Sequence, residues 1–130
     1  GKIGSPFMSG YCASKHAVEA FSESLRRELK PFGIKVIIVA PGSISTPIWQ
    51  TVKKQKEQNK FGKTKYSVPF KRILNSLEQF DQNSLPMEKL ANVIIKSIET
   101  KNPKIRYNPT KDYSQKIWPY IPKKIMDNFF

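Results

Sequence analysis

The sequence is poor in the groups that staple or ligate a fold. A single cysteine, Cys12, excludes an internal disulfide, and with a single histidine, His16, no cluster of His and Cys supplies the ligands of a zinc site. Long apolar runs are missing too. The longest, Val36 to Pro41, falls far short of the roughly 20 residues that cross a bilayer as a helix. Acidic residues are scarce, with 10 Asp and Glu against 23 Lys and Arg, a formal net charge of +13. Residues 1–10 have neither an initiator Met nor the charged-then-apolar layout of a secretory signal, so the sequence is expected to begin inside a longer protein.

What is present points to a packed core. Eight Phe, five Tyr and two Trp among 130 residues are too many for a disordered tail, and the length allows one domain or part of one. The positive charge is uneven. Residues 1–49 hold six bases and three acids (+3), whereas residues 50–130 hold 17 bases and seven acids (+10). In the second part Lys53, Lys54, Lys56, Lys60, Lys63 and Lys65 stand among Gln and Asn, with only Phe61 as an aromatic before Tyr66. That is no base-stacking pattern, and 19 Lys to four Arg is the wrong balance for bidentate reading of guanine. The charge reads as a solvated face, and no nucleic-acid partner is expected.

Along the chain, Val18, Phe21, Leu25 and Leu29 recur at three- and four-residue spacing and predict a helix over 12–30, ended by Pro31-Phe32-Gly33. The β-branched run from Ile34 to Ala40 shows little alternation and predicts a strand buried on both faces, as in parallel sheets. A second helix is predicted from Met87 to Thr100, with Leu90, Val93, Ile94 and Ile98 facing inward, and a short strand from Lys104 to Tyr107. Strand, helix, strand is the order of a parallel crossover, with residues 47–85 as an inserted lobe. Pro109, Pro119 and Pro122 then limit any unbroken helix to Pro122 through Phe130.

Three Tyr residues are followed four positions later by Lys: Tyr11 with Lys15, Tyr107 with Lys111, and Tyr120 with Lys124. Pro109 and Pro122 interrupt the second and third pairs, so only Tyr11 and Lys15 share a continuous helical turn. Such a pair brings an ammonium to a phenol, and the positive charge favours the phenolate that a proton relay to or from an alcohol oxygen requires. The turn Pro41-Gly42-Ser43-Ile44-Ser45-Thr46 follows the predicted strand, and in open α/β sheets ligands sit beyond the carboxyl ends of the strands. Ser43 and Thr46 are equally placed to cap a helix starting near Pro47. Cys12 and His16 flank the pair; neither is assigned a catalytic role.

Ser9-Gly10-Tyr11-Cys12-Ala13-Ser14-Lys15-His16-Ala17, followed by Val39-Ala40-Pro41-Gly42 and Thr46, resembles the active-site stretch of the short-chain dehydrogenase/reductase family. The segment from Ser84 to Ala91 and the stretch from Lys104 to Tyr107 resemble that family's later helix and last strand, so the likeness covers nearly the whole chain. It implies an α/β fold, the C-terminal part of a doubly wound parallel-sheet Rossmann domain whose N-terminal βαβ half is absent. Its parts would be 11–46 as active-site helix, strand and Pro-Gly loop, 47–85 as substrate lobe, 86–107 as helix and last strand, and 108–130 as a C-terminal extension.

The resemblance further implies NAD or NADP as cofactor, Tyr11 as general acid/base, and Lys15 as the group that tunes it and holds the nicotinamide ribose. Pro41, Gly42, the Ile44 backbone and Thr46 would lie on the nicotinamide side. It implies a small alcohol or carbonyl substrate, which Trp49, Phe61, Tyr66, Val68, Phe70, Ile73, Leu74 and Leu77 in the lobe suggest is apolar, in the manner of the steroid and retinol dehydrogenase-like branch. It implies a homodimer or homotetramer, with Ala13, Ala17, Glu19 and Ala20 as candidate contacts. The family's glycine-rich dinucleotide loop is absent from the sequence, and its catalytic Ser, roughly 13 residues before the Tyr, would fall before Gly1. The 130-residue chain alone is therefore expected to be inactive. A cytoplasmic location is expected, and the basic, aromatic stretch 117–130 is either a lid or a membrane-surface contact. Two rival readings stand: a non-catalytic relative that keeps the fold, and a basic module for membranes or nucleic acid.

Overall fold

The computed structural model describes residues 1–48, 50–51, 54 and 62–127. Its elements, in chain order, are α1 (Ser9–Leu29), a 3-10 turn (Lys30–Phe32), β1 (Ile38–Val39), α2 (Ser67–Gln82), α3 (Met87–Glu99), β2 (Arg106–Tyr107), α4 (Ser114–Ile117), a second 3-10 turn (Trp118–Tyr120) and α5 (Lys123–Met126). β1 and β2 pair in parallel, with Ile38 opposite Arg106 and Val39 opposite Tyr107. Helices lie between the two strands in sequence, as a parallel crossover requires. The α/β architecture expected from the sequence is present as this small parallel sheet.

α1 ends where the proline and glycine dictate. Pro31 closes the helix as a 3-10 turn, and Gly33 takes φ 72°, a left-handed conformation open to glycine, so that its N–H donates to the Lys30 carbonyl. The strand prediction over 34–40 was too long. Only Ile38 and Val39 form ladder residues, although the alternate N–H groups of Ile38, Ala40 and Gly42 donate to Ile105, Tyr107 and Pro109 at 2.9 to 3.0 Å. The strand is not buried on both faces either: Ile34 is exposed and residues 36–40 are half-buried. The apolar side of α1 is covered only in part among the described residues: Val18 and Phe21 are 58% and 68% exposed, while Leu25 and Leu29 are half-buried.

α3 corrects the predicted inward face. Ile94 and Ile98 are exposed, and the inward side runs through Leu90 and Val93 to Ser97, which is 2% exposed and donates its hydroxyl to the Ile94 carbonyl at 2.7 Å. The remaining buried apolar side chains among the described residues are Leu74 of α2, Leu85 and Met126 of α5. α2 is an element the sequence reading left inside an undivided lobe. The expected terminal helix over Pro122 to Phe130 is shortened to Lys123–Met126, with 128–130 outside the described residues. No helix among the described residues is long and apolar enough to cross a membrane.

One ion pair joins the first helix to the last strand. The Arg106 guanidinium forks onto the Glu19 carboxylate, Nη1 to Oε2 and Nη2 to Oε1, the latter at 2.9 Å, while its Nε donates to Asn108 Oδ1 at 2.8 Å. The Glu19 side chain is only 15% exposed. Hydrogen bonding from Arg106 holds the Glu19 carboxyl below the ordinary carboxylate range, against the opposing push of burial and with the help of the Arg106 charge. A depressed carboxylate contributes stability above its unfolded pKa and loses it as pH falls through the folded one.

Two stability outcomes follow from this packing. Ser97→Leu is expected to destabilise the intact protein by about 1–3 kcal/mol through overpacking, and Ile98→Ser by under about 0.5 kcal/mol, in urea unfolding; the reverse order would mean that the helix face is misassigned. Glu19→Gln is expected to cost about 1–3 kcal/mol at pH 7, with the gap from wild type closing as pH falls below about 4. A gap that stays constant down to pH 3 would show that the carboxylate charge contributes nothing.

Candidate active site

α1 begins without a side-chain cap, with the Cys12 N–H donating to the Met8 carbonyl at 2.8 Å, so the helix is already formed at Tyr11. Tyr11 and Lys15 stand one turn apart, and the Lys15 Nζ lies 5.6 Å from the centre of the Tyr11 ring. Tyr11 is 56% exposed, so its phenol can be reached from outside. No carboxylate pairs with Lys15 among the described residues. Glu19, the next residue on the same stripe, is held by Arg106 instead, which ties the stripe to β2 at that position. That leaves Glu19 engaged within the chain, where the sequence made it a candidate subunit contact.

The neighbours of the pair have local partners. Cys12 Sγ accepts from the Ser5 N–H at 3.4 Å, His16 Nδ1–H donates to the Cys12 carbonyl at 2.8 Å, and Ser14 Oγ donates to the Tyr11 carbonyl at 2.8 Å. The other two Tyr and Lys pairs share no helix: Tyr107 is in β2 and Tyr120 ends a 3-10 turn.

The loop from Pro41 to Thr46 is stitched on two sides. Gly42 donates to Pro109 beyond β2, while Leu85 donates to Ser43 at 2.8 Å and receives the Ser45 N–H at 3.0 Å, making a parallel bridge at Ile44. The Ser43 and Ser84 hydroxyls meet at 2.9 Å across the same seam. A helical turn begins at Pro47, whose carbonyl accepts the Gln50 N–H at 3.0 Å. Beside the loop lies an open cleft of about 320 Å³, lined by Ser45, Gln82, Ser84, Pro86, Met87 and Glu88.

Of the expected site residues, the structure brings Tyr11 and Lys15 together, and it holds Pro41, Gly42, Ile44 and Thr46 in one loop. Among the described residues no hydrogen bond or ion pair joins the Tyr11 or Lys15 side chain to that loop; β2 links them, through Arg106 on one side and Pro109 on the other. In the lobe, Leu74 is core, Tyr66 and Val68 are each 60% exposed, and Trp49 and Phe61 lie outside the described residues. The sequence reading missed Arg106 and Ser84. Arg106 carried no local signal, since Lys104 beside it makes the short strand as basic as the stretches around it.

Residues 1–57 match the family model for short chain dehydrogenase. The chain is 33% identical over 127 residues, 96% of its length, to the NADPH-dependent 3-dehydrocapnine reductase of Ornithobacterium rhinotracheale, and 44% of that protein is covered. It is 36% identical over 108 residues to the 3-ketodihydrosphingosine reductase of Bacteroides thetaiotaomicron, with 82% of this chain and 39% of the relative aligned. With human retinol dehydrogenase 5 the identity is 31% over 136 residues, covering 91% and 41% respectively. The chain thus spans under half the length of these curated relatives. With an active-site stretch that resembles the family's and relatives named as reductases and dehydrogenases along nearly its whole length, the chain belongs to the short-chain dehydrogenase/reductase family.

Proposed function

We propose that this chain is the proton-relay portion of an NAD(P)-dependent oxidoreductase that interconverts an alcohol and a carbonyl. The observation that carries the reading is the Tyr11 and Lys15 pair: an accessible phenol with an ammonium 5.6 Å from its ring and no carboxylate neutralising that ammonium among the described residues. In reduction the Tyr11 hydroxyl donates its proton to the carbonyl oxygen, and in oxidation the phenolate takes it back from the alcohol. Lys15 faces the phenolate with a positive charge in either direction.

The donor set suits a dinucleotide. Lys15 supplies N–H groups for ribose hydroxyls, and the Ile44 backbone with Thr46 supplies polar groups for a carboxamide, on a loop held by Pro109 and Leu85. When bound, the nicotinamide gives or accepts the hydride. NAD and NADP are both used in the family, and one relative is named for NADPH. The relatives' names pair a ketone, 3-ketodihydrosphingosine, with an alcohol, retinol, which supports chemistry at a carbinol carbon. The lobe, through Tyr66, Val68 and Phe70, would select an apolar substrate. Ala13, Ala17 and Ala20, exposed along α1, support pairing of two copies through this helix.

On this proposal the chain is the C-terminal part of a Rossmann domain, because no glycine-rich turn for a pyrophosphate occurs in it. The isolated 130 residues are accordingly expected to turn over no alcohol with either cofactor. In the intact protein, Tyr11→Phe is expected to lower kcat by about 100-fold or more, the scale of lost acid/base catalysis, while cofactor binding followed by nicotinamide fluorescence is retained. A Tyr11→Phe enzyme that keeps a third of its kcat would remove Tyr11 from the mechanism and favour the non-catalytic relative.

A further inference from the structure

The approach to α1 contains the one non-glycine residue among the described residues with a left-handed backbone, Phe7, at φ 63°. A bulky L-residue is strained there, and such strain persists only where the surroundings hold it. Part of what holds Phe7 is the head of α2 with the residue before it. Its ring meets Tyr66 edge-on, with centroids 5.9 Å apart and planes at 86°, and Phe70 in the same manner at 5.4 Å and 77°. Tyr66 immediately precedes α2 and Phe70 lies one turn on, its N–H donating to the Tyr66 carbonyl at 2.9 Å. The Phe7 ring therefore meets both of these rings edge-on.

This cluster is not the core. Phe7 and Tyr66 remain 40% and 60% exposed, whereas the buried apolar side chains are Leu74, Leu85 and Met126. Phe7 also lies four residues before Tyr11, a reach of at most about 14 Å along the chain. Strained backbone and part-exposed aromatic rings coincide here, four residues before Tyr11.

We propose that Phe7 is a positioning residue for substrate: it docks the lobe helix beside Tyr11 and, with Tyr66 and Phe70, forms a three-ring wall for the apolar body of a bulky alcohol or ketone. The substrate part rests on the oxidoreductase reading; the docking part does not. The ring explains why an otherwise unfavourable φ is kept, since a relaxed backbone at Phe7 would redirect the side chain away from Tyr66 and Phe70.

Two variants of the intact protein separate the ring from the backbone. Asn tolerates the left-handed conformation and removes the ring, and Tyr keeps the ring. With 4-phenyl-2-butanol as bulky substrate and 2-butanol as small one, Phe7→Asn is expected to raise KM for the first about tenfold, kcat staying within about twofold, and to leave both constants for 2-butanol unchanged. Phe7→Tyr is expected to restore the wild-type KM. Equal losses on both alcohols, or none on either, would overturn the wall.

Hydrogen exchange decides the docking independently of activity. Phe7→Asn is expected to speed exchange of the amides of residues 66–74 about tenfold while those of 11–29 keep their protection. If the wild type oxidises neither alcohol, the oxidoreductase reading fails and the substrate wall fails with it, but faster exchange at 66–74 still upholds the docking. Unchanged exchange there would overturn it.

Discussion

How the Tyr11 and Lys15 stripe sits relative to the strands depends on the fork between Glu19 and Arg106. α1 alone can bring Tyr11 to Lys15, because one helical turn does so whatever the helix packs on. It takes a tertiary contact to decide what the pair faces. The two hydrogen bonds of the guanidinium fix distance and rotation together, since a planar fork meets a carboxylate in one orientation. The stripe bearing Tyr11 and Lys15 is thereby tied, at Glu19, to the strand whose extension also holds the Pro-Gly loop. A lysine at position 106 would keep the charge and lose the orientation.

The loop itself is held by alternation. Ile38, Ala40 and Gly42 turn their N–H groups toward β2 and its extension, whereas the Ser43 carbonyl and the Ser45 N–H turn the other way, to Leu85. A segment bonded on alternate sides is fixed in both directions across its length. Ser84 adds a hydroxyl contact to Ser43 at the point where the bonding changes side. The corner between α2 and α3 is thus tied to the end of β1, and a shift of the lobe would be felt at the loop.

The local parts of this arrangement were legible in the sequence. A helix interrupted by neither Gly nor Pro between Cys12 and Lys30 singled out Tyr11 and Lys15 from three equally spaced pairs, and Pro31 with Gly33 marked its end within a residue or two. The parallel strand order was legible as well, from the β-branched run and the helix after it. Strand length was not, because ladder formation depends on the partner, and β2 offers a partner to only two residues. The face of α3 was misread for a related reason: Ile94 and Ile98 are the more apolar, but packing takes Ser97, whose hydroxyl is satisfied by its own helix. α2 carried its signal in Phe70, Ile73, Leu74 and Leu77 at helical spacing, which the surrounding lysines and glutamines obscured. Long-range pairs such as Glu19 with Arg106 have no local signature at all.

The register of the two strands has a consequence for assembly of the fold. Arg106 reaches Glu19 because it stands opposite Ile38. With side chains alternating from face to face along a strand, a slip by one position would send the guanidinium to the far side of the sheet and put Ile105 or Tyr107 under α1 in its place. Two residues of ladder are too few to enforce one alignment by backbone bonding alone. A charged latch on the helix supplies the missing discrimination, since a misaligned pair would leave the Glu19 carboxylate without its cation.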